Sequence, residues 1–196
     1  AARYRRLRWA TAPLFDCIQL YAAQTEEYAE AVRSLGAPPD RVHVTGSVKY
    51  DGAAGDRRNP RTDELRRLLN VSADDLVWVA GSTMAPEEEI VMGVYQRARA
   101  SHPNLRLFLA PRQPDRFDEA AEVLRRAGAP FVRRTSLTAP PDRGAVVLVD
   151  TIGELSALWG LADVAFVGGS LDGRRGGQNM IEPAAYGSAV VFGPHV

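Results

Sequence analysis

Apolar runs of strand length recur along this chain. Each is closed by a loop marked with Gly, Ser/Thr or Pro, and each is followed by a segment of helical length. Runs at 76–80, 105–110, 145–149, 163–167 and 189–192 read as strands, with a short one near Phe131. Helices are predicted over 62–70 and from Pro86, Asp115, Gly153 and Asn179. Strands that alternate with helical crossovers pair in parallel, and helices then cover both faces of the sheet. The expected fold class is α/β, a Rossmann-like doubly wound parallel sheet with ligand loops at the carboxyl ends of its strands.

The first fifty residues carry less of this pattern. Residues 17–22 read as a buried strand, which makes Cys17 a buried structural thiol. Thr25 is placed to cap a helix with Glu26 and Glu27 in its first turn, and Gly36 to end it. Pro38-Pro39-Asp40 then turns the chain into a strand at 42–45. Residues 51–60 are mainly Gly, Ala, Asp, Arg and Asn without apolar periodicity, and are expected to be a linker. The organisation predicted is the tail end of a first Rossmann-like domain (1–50), a linker (51–60) and a second, truncated domain (61–196). The start at Ala1-Ala2-Arg3 without Met and the end just past a strand suggest an internal fragment of a longer protein.

Composition excludes several classes of function. Lys plus Arg (24) balances Asp plus Glu (24), so no overall field draws the chain to nucleic acid. One cysteine cannot form an internal disulfide, and no apolar run approaches the ~20 residues that span a bilayer. His43, His102 and His195 are scattered without metal-ligand spacing, so no metal or cofactor is expected. Neither a GxGxxG fingerprint nor a Walker loop occurs. Arg3, Arg5, Arg6 and Arg8, interleaved with Tyr4, Leu7 and Trp9, read as a solvated face, with contact to anionic lipid as a second reading.

Candidate chemistry gathers at the predicted strand ends. Gly168-Gly169-Ser170, Gly176-Gly177 and Asn179-Met180-Ile181-Glu182 place a glycine-rich loop before a helix with a carboxylate in its first turn. Glycines allow close backbone approach, free amides attract phosphate, and a carboxylate can take a ribose diol. The rival reading of Asn179 and Glu182 is a capping box. Arg112, fixed by Pro111, suits bidentate contact with phosphate or carboxylate and reads equally well as one surface arginine among many. Gly153 exposes amides beside Ile152, while Glu154 suits either the site or a helix dipole. Ser82 and Thr83 read as loop-shaping residues, and Glu87, Glu88 and Glu89 as first-turn complements to a helix dipole. Lys49, just before the linker, reads as a surface lysine, with the offset of developing negative charge in a cleft as the second reading.

Taken in order, these segments resemble the 3-deoxy-D-manno-octulosonic acid (Kdo) transferase family. The resemblance is carried by Thr45-Gly46-Ser47-Val48-Lys49, Gly81-Ser82-Thr83 with Glu87-Glu88-Glu89, and Ala110-Pro111-Arg112. It continues through Asp150-Thr151-Ile152-Gly153-Glu154, Gly168-Gly169-Ser170, Gly176-Gly177, Asn179 with Glu182-Pro183-Ala184, and Phe192-Gly193-Pro194-His195. It implies a GT-B glycosyltransferase of two Rossmann-like domains at the cytoplasmic face of the bacterial inner membrane. The implied reaction is an inverting, metal-independent transfer of Kdo from CMP-Kdo to a lipid A precursor, lipid IVA.

By the same resemblance, Pro111, Arg112, Ile152, Gly153, Glu154, Gly177, Asn179, Met180, Ile181 and Glu182 would hold the nucleotide. Lys49 would stabilise the transition state. The catalytic base would be a glutamate of the N-terminal domain upstream of residue 1, as would most of the membrane-associating surface, so this chain alone is expected to be inactive. Where the family has His, this chain has Met84, Gln113 and Gln178. Gln keeps a hydrogen-bond donor but cannot carry charge near neutral pH. Two other readings are a GT-B enzyme using a UDP-sugar (a lipid-disaccharide synthase or nucleotide-sugar epimerase type) and a non-catalytic relative.

Overall fold

The structure, a computed structural model, describes residues 8–47, 55–173 and 176–195. It divides into two compact units, 1–53 and 54–196.

In the smaller unit, helix α1 (Arg8–Asp16) precedes strand β1 (Tyr21–Ala23), helix α2 (Glu26–Leu35) and strand β2 (Val42–Val44), which pairs in parallel with β1. The Thr25 hydroxyl accepts from the Tyr28 amide, and Gly36 closes α2 at φ 117°, a left-handed conformation that favours glycine. Ala23, Ala29, Ala37 and Val42 form the core, flanked by Phe15 stacked on Tyr21. The expected buried strand at 17–22 is corrected. Cys17 is exposed and follows α1, and the amides of Cys17 and Ile18 donate to Leu14 and Phe15 carbonyls in the last turn of that helix. These backbone groups are satisfied by the helix end, so only Tyr21–Ala23 enters a ladder.

The larger unit is a six-stranded parallel sheet in the order β5-β6-β4-β3-β7-β8. Its strands are β3 (Leu76–Thr83), β4 (Leu105–Pro111), β5 (Phe131–Arg133), β6 (Val146–Leu148), β7 (Val164–Val167) and β8 (Ala189–Val191). Its helices are α3 (Pro60–Leu68), α4 (Glu87–Ser101), α5 (Phe117–Arg126), α6 (Leu155–Trp159) and α7 (Ile181–Ala185). The period of two along each strand sorts the core into layers. Leu105, Leu107 and Leu109 of β4 and Val146 and Leu148 of β6 pack with Val91, Met92, Ala120 and Leu124 of α4 and α5. Phe108, Val77, Val79 and Val147 face the other way, against Leu65 of α3 and Leu158 and Trp159 of α6. Gly81 is required here, because a Cβ would lie 2.5 Å from the Trp159 ring.

Two expectations change in this unit. Residues 55–59, read as part of a linker, are anchored to the larger unit. Arg57 donates to the Tyr186 carbonyl (2.6 Å) and the Ala162 carbonyl (2.7 Å), and the Asn59 side chain caps α3 through the Thr62 amide (3.0 Å). Strand β3 also runs on to Thr83 instead of ending at 80, with a register shift in which Ser82 takes φ 56°. The bulge re-aims the strand end without leaving the ladder.

Candidate functional site

The chain leaves β3 toward β4 on one side and returns later to β7 on the other. The topological switch point, where open α/β sheets bind ligands, therefore lies at the carboxyl ends of β3 and β7. The predicted site residues of the larger unit follow the carboxyl ends of β4, β6 and β7. Pro111 is the buried last residue of β4, and the Arg112 amide donates to the Thr83 carbonyl (3.1 Å). That bond fixes the Arg112 backbone to the neighbouring strand end. Its guanidinium is solvent-exposed and has no carboxylate partner among the described residues.

The segment after β6 is held from below. Asp150 is buried and accepts from the Thr135 amide (2.9 Å) and hydroxyl (2.6 Å). Gly153 has φ 89° with open space where a Cβ would stand, and Ile152 is 68% exposed. Glu154 accepts from Arg134 (2.7 Å) and from the Thr151 hydroxyl, so it is oriented by side chains and does not cap α6.

The glycine loop departs from expectation. The amides of Gly169 (2.8 Å), Ser170 (3.0 Å) and Leu171 (3.2 Å) all donate to the carboxylate of Glu87, which also takes the Met84 amide (2.9 Å). These amides are filled from within the protein. Glu87 and Glu88, read from sequence as complements to a helix dipole, are buried. Their spacing of four from Val91 and Met92 places all four on the core face of α4, a signal that was present in the sequence. Glu88 accepts from Arg116 (3.0 Å), and burial pushes its carboxyl above the usual range against the pull of Arg116.

Farther along, the Gly176 carbonyl and the Gln178 side chain abut Gly169. The Asn179 side-chain oxygen Oδ1 accepts from the Ile181 amide (3.0 Å), and its side-chain nitrogen Nδ2 donates to Glu182 Oε1 (3.2 Å). This pair is not the reciprocal capping box, in which Glu would reach a backbone amide. Gly177, Met180, Ile181 and Glu182 are all partly buried. Ser170 ties in the end of the chain: its hydroxyl accepts from the Gly193 amide (2.8 Å) and its carbonyl from the His195 amide (3.1 Å). Lys49 lies outside the described residues. Among the described residues no three His, Cys, Asp or Glu are grouped as metal ligands, and no helix is long and apolar enough to cross a membrane.

A family model described as 3-deoxy-D-manno-octulosonic-acid transferase (kdotransferase) matches residues 1–52. The 3-deoxy-D-manno-octulosonic acid transferase of Haemophilus influenzae is 36% identical over 195 residues, covering 100% of this chain and 45% of that protein. The Bordetella pertussis transferase of the same name is 37% identical over 177 residues, covering 88% of this chain and 40% of the relative. The crystal structure of the C-terminal CMP-Kdo binding domain of WaaA from Acinetobacter baumannii superposes with a TM-score of 0.63 at 31% identity, covering 69% of each chain. The chain belongs to the Kdo transferase family. It spans less than half the length of these two transferases. The parallel sheet of the larger unit is accordingly that of one Rossmann-like domain of the GT-B glycosyltransferase fold of this family.

Proposed function

We propose that the protein transfers Kdo from CMP-Kdo to a lipid A precursor, lipid IVA, and that residues 61–196 belong to its CMP-Kdo-binding domain. The observation that carries this reading is the likeness of the larger unit to a solved domain described as CMP-Kdo binding. The nucleotide residues are Pro111 and Arg112, Ile152 to Glu154, Gly177, and Asn179 to Glu182. Arg112 is the natural phosphate partner, being a cation at the sheet edge without a carboxylate partner among the described residues. Glu182, held by Asn179, suits the ribose hydroxyls.

The reaction is inverting and metal-independent. An acceptor hydroxyl attacks the anomeric carbon, the bond to the CMP phosphate oxygen breaks, and the electron pair leaves on the phosphate. Charge develops there, so cations fixed at the phosphate lower the barrier, each typically by roughly 3 kcal/mol. Arg112 takes this role, and Lys49 is the transition-state stabiliser that the family resemblance implies. The hydroxyl proton goes to a carboxylate of the acceptor-side domain, to which residues 1–50 belong. The enzyme works at the cytoplasmic face of the inner membrane.

Calorimetric titration of CMP into the complete protein and into Arg112→Ala and Glu182→Ala tests the assignment. Each variant should bind CMP about tenfold or more weakly, the loss expected for one charged hydrogen bond. Unchanged affinity in both would count against it.

A further inference from the structure

The four amides around Glu87 come from two loops. Oε2 accepts from Met84, just after β3, and from Gly169, while Oε1 accepts from Ser170 and Leu171, after β7. The carboxylate is 2% exposed and joins the two strand ends that border the switch point. The backbone closes tightly around it, since a Cβ on Gly168 would lie 2.5 Å from the Ser82 carbonyl oxygen and 2.7 Å from Glu87 Oε2. Both loops lead to the candidate donor residues. The Arg112 amide bonds Thr83, next to Met84, and Gly169 lies beside Gly176 and Gln178, which precede Asn179: a Cβ on Gly169 would stand 3.1 Å from the Gly176 carbonyl oxygen.

We propose that Glu87 is a positioning residue for the sugar-nucleotide donor, an inference that rests on the CMP-Kdo reading above. Its carboxylate is the internal anion around which the loop 168–171 is formed. A run of three amides converging on one point is an anion-binding nest, and here the protein fills it with its own charge. The donor phosphate therefore does not take the amides of Gly169, Ser170 or Leu171. These amides set the position of the neighbouring donor residues, and phosphate recognition passes to Arg112. An amide cannot replace the carboxylate, because both oxygens accept and a glutamine would turn an NH2 group toward two N–H donors.

The test is CMP affinity by calorimetry on the complete protein, measured well below the unfolding midpoint. A purely structural role would lower the midpoint of Glu87→Gln but leave the affinity of its folded molecules intact. Positioning lowers that affinity about tenfold or more. Glu87→Ala removes the atoms of one acetate ion, so acetate at tens of millimolar should raise its midpoint and restore its CMP affinity while leaving the unsubstituted protein unaffected.

Wild-type CMP affinity in folded Glu87→Gln would overturn the proposal alone. So would a Glu87→Ala protein that acetate restores in neither fold nor affinity. Absence of CMP binding by the unsubstituted protein would overturn the donor reading and this one with it.

Discussion

Replacing Gly168 by Ala places one methyl group where the backbone has no room. The new Cβ would stand 2.5 Å from the Ser82 carbonyl oxygen, 2.6 Å from Thr83 Cα and 2.7 Å from Glu87 Oε2. Two of these are backbone atoms of a buried strand end and cannot rotate away. Reaching ordinary van der Waals separation requires the β7 loop to retreat by about 1 Å. That movement stretches the bonds from Gly169, Ser170 and Leu171 to Glu87, now 2.8–3.2 Å, to or beyond hydrogen-bond range. Overpacking alone costs about 1–3 kcal/mol, and each weakened bond to a charged acceptor adds a share of its roughly 1.5–3 kcal/mol. We expect a loss of about 3 kcal/mol, or roughly 6–12 °C for a unit of this size, by thermal unfolding followed by circular dichroism. A midpoint unchanged within about 1 °C would refute the claim that β3 and β7 close rigidly around Glu87.

Other substitutions probe separate parts of the account. Gly93→Ala, inside α4, meets only the flexible Arg97 side chain at 3.6 Å and should stabilise the protein by about 0.5–1 kcal/mol in denaturant unfolding. Asp75 is buried against Arg106 and Arg143; burial alone would raise its carboxyl, but the Ser72 amide and the two arginines outweigh it and hold it below the usual value. A depressed carboxyl contributes stability above the unfolded pKa of about 4 that is lost as pH falls. Asp75→Asn should therefore destabilise by about 3–5 kcal/mol at pH 7, with the gap to wild type narrowing below about pH 4 in urea titrations. Asn59→Ala removes the α3 cap and should cost about 1 kcal/mol, read as a lower urea midpoint.

The alternation of strands and helices was legible because it is written in local periodicity. Thr25 and Gly36 bound α2 as read, since a cap and a left-handed terminus depend on residues within one turn. The failures share a cause. Residues 17–20 are apolar enough for a strand, and only the end of α1 shows that the amides of Cys17 and Ile18 are already taken. Arg57 looked like linker composition because its carbonyl partner at Tyr186 is 129 residues away. Glu87 grips amides 82 to 84 residues along the chain, so the glycine loop read as an open anion cradle when its occupant was another part of the same protein. The candidate residues were legible as residue types. Their arrangement along one sheet edge required the strand order.

The central claim is that this fold holds a cytidine nucleotide. It is tested most directly by the thermal stabilisation that CMP and UDP give the complete protein at equal concentration. A ligand that binds only the folded state raises stability by about 2.7 kcal/mol at a hundred times its Kd. The account predicts a clear upward shift of the midpoint with CMP and a smaller one with UDP. Equal shifts, or a larger one with UDP, would contradict it.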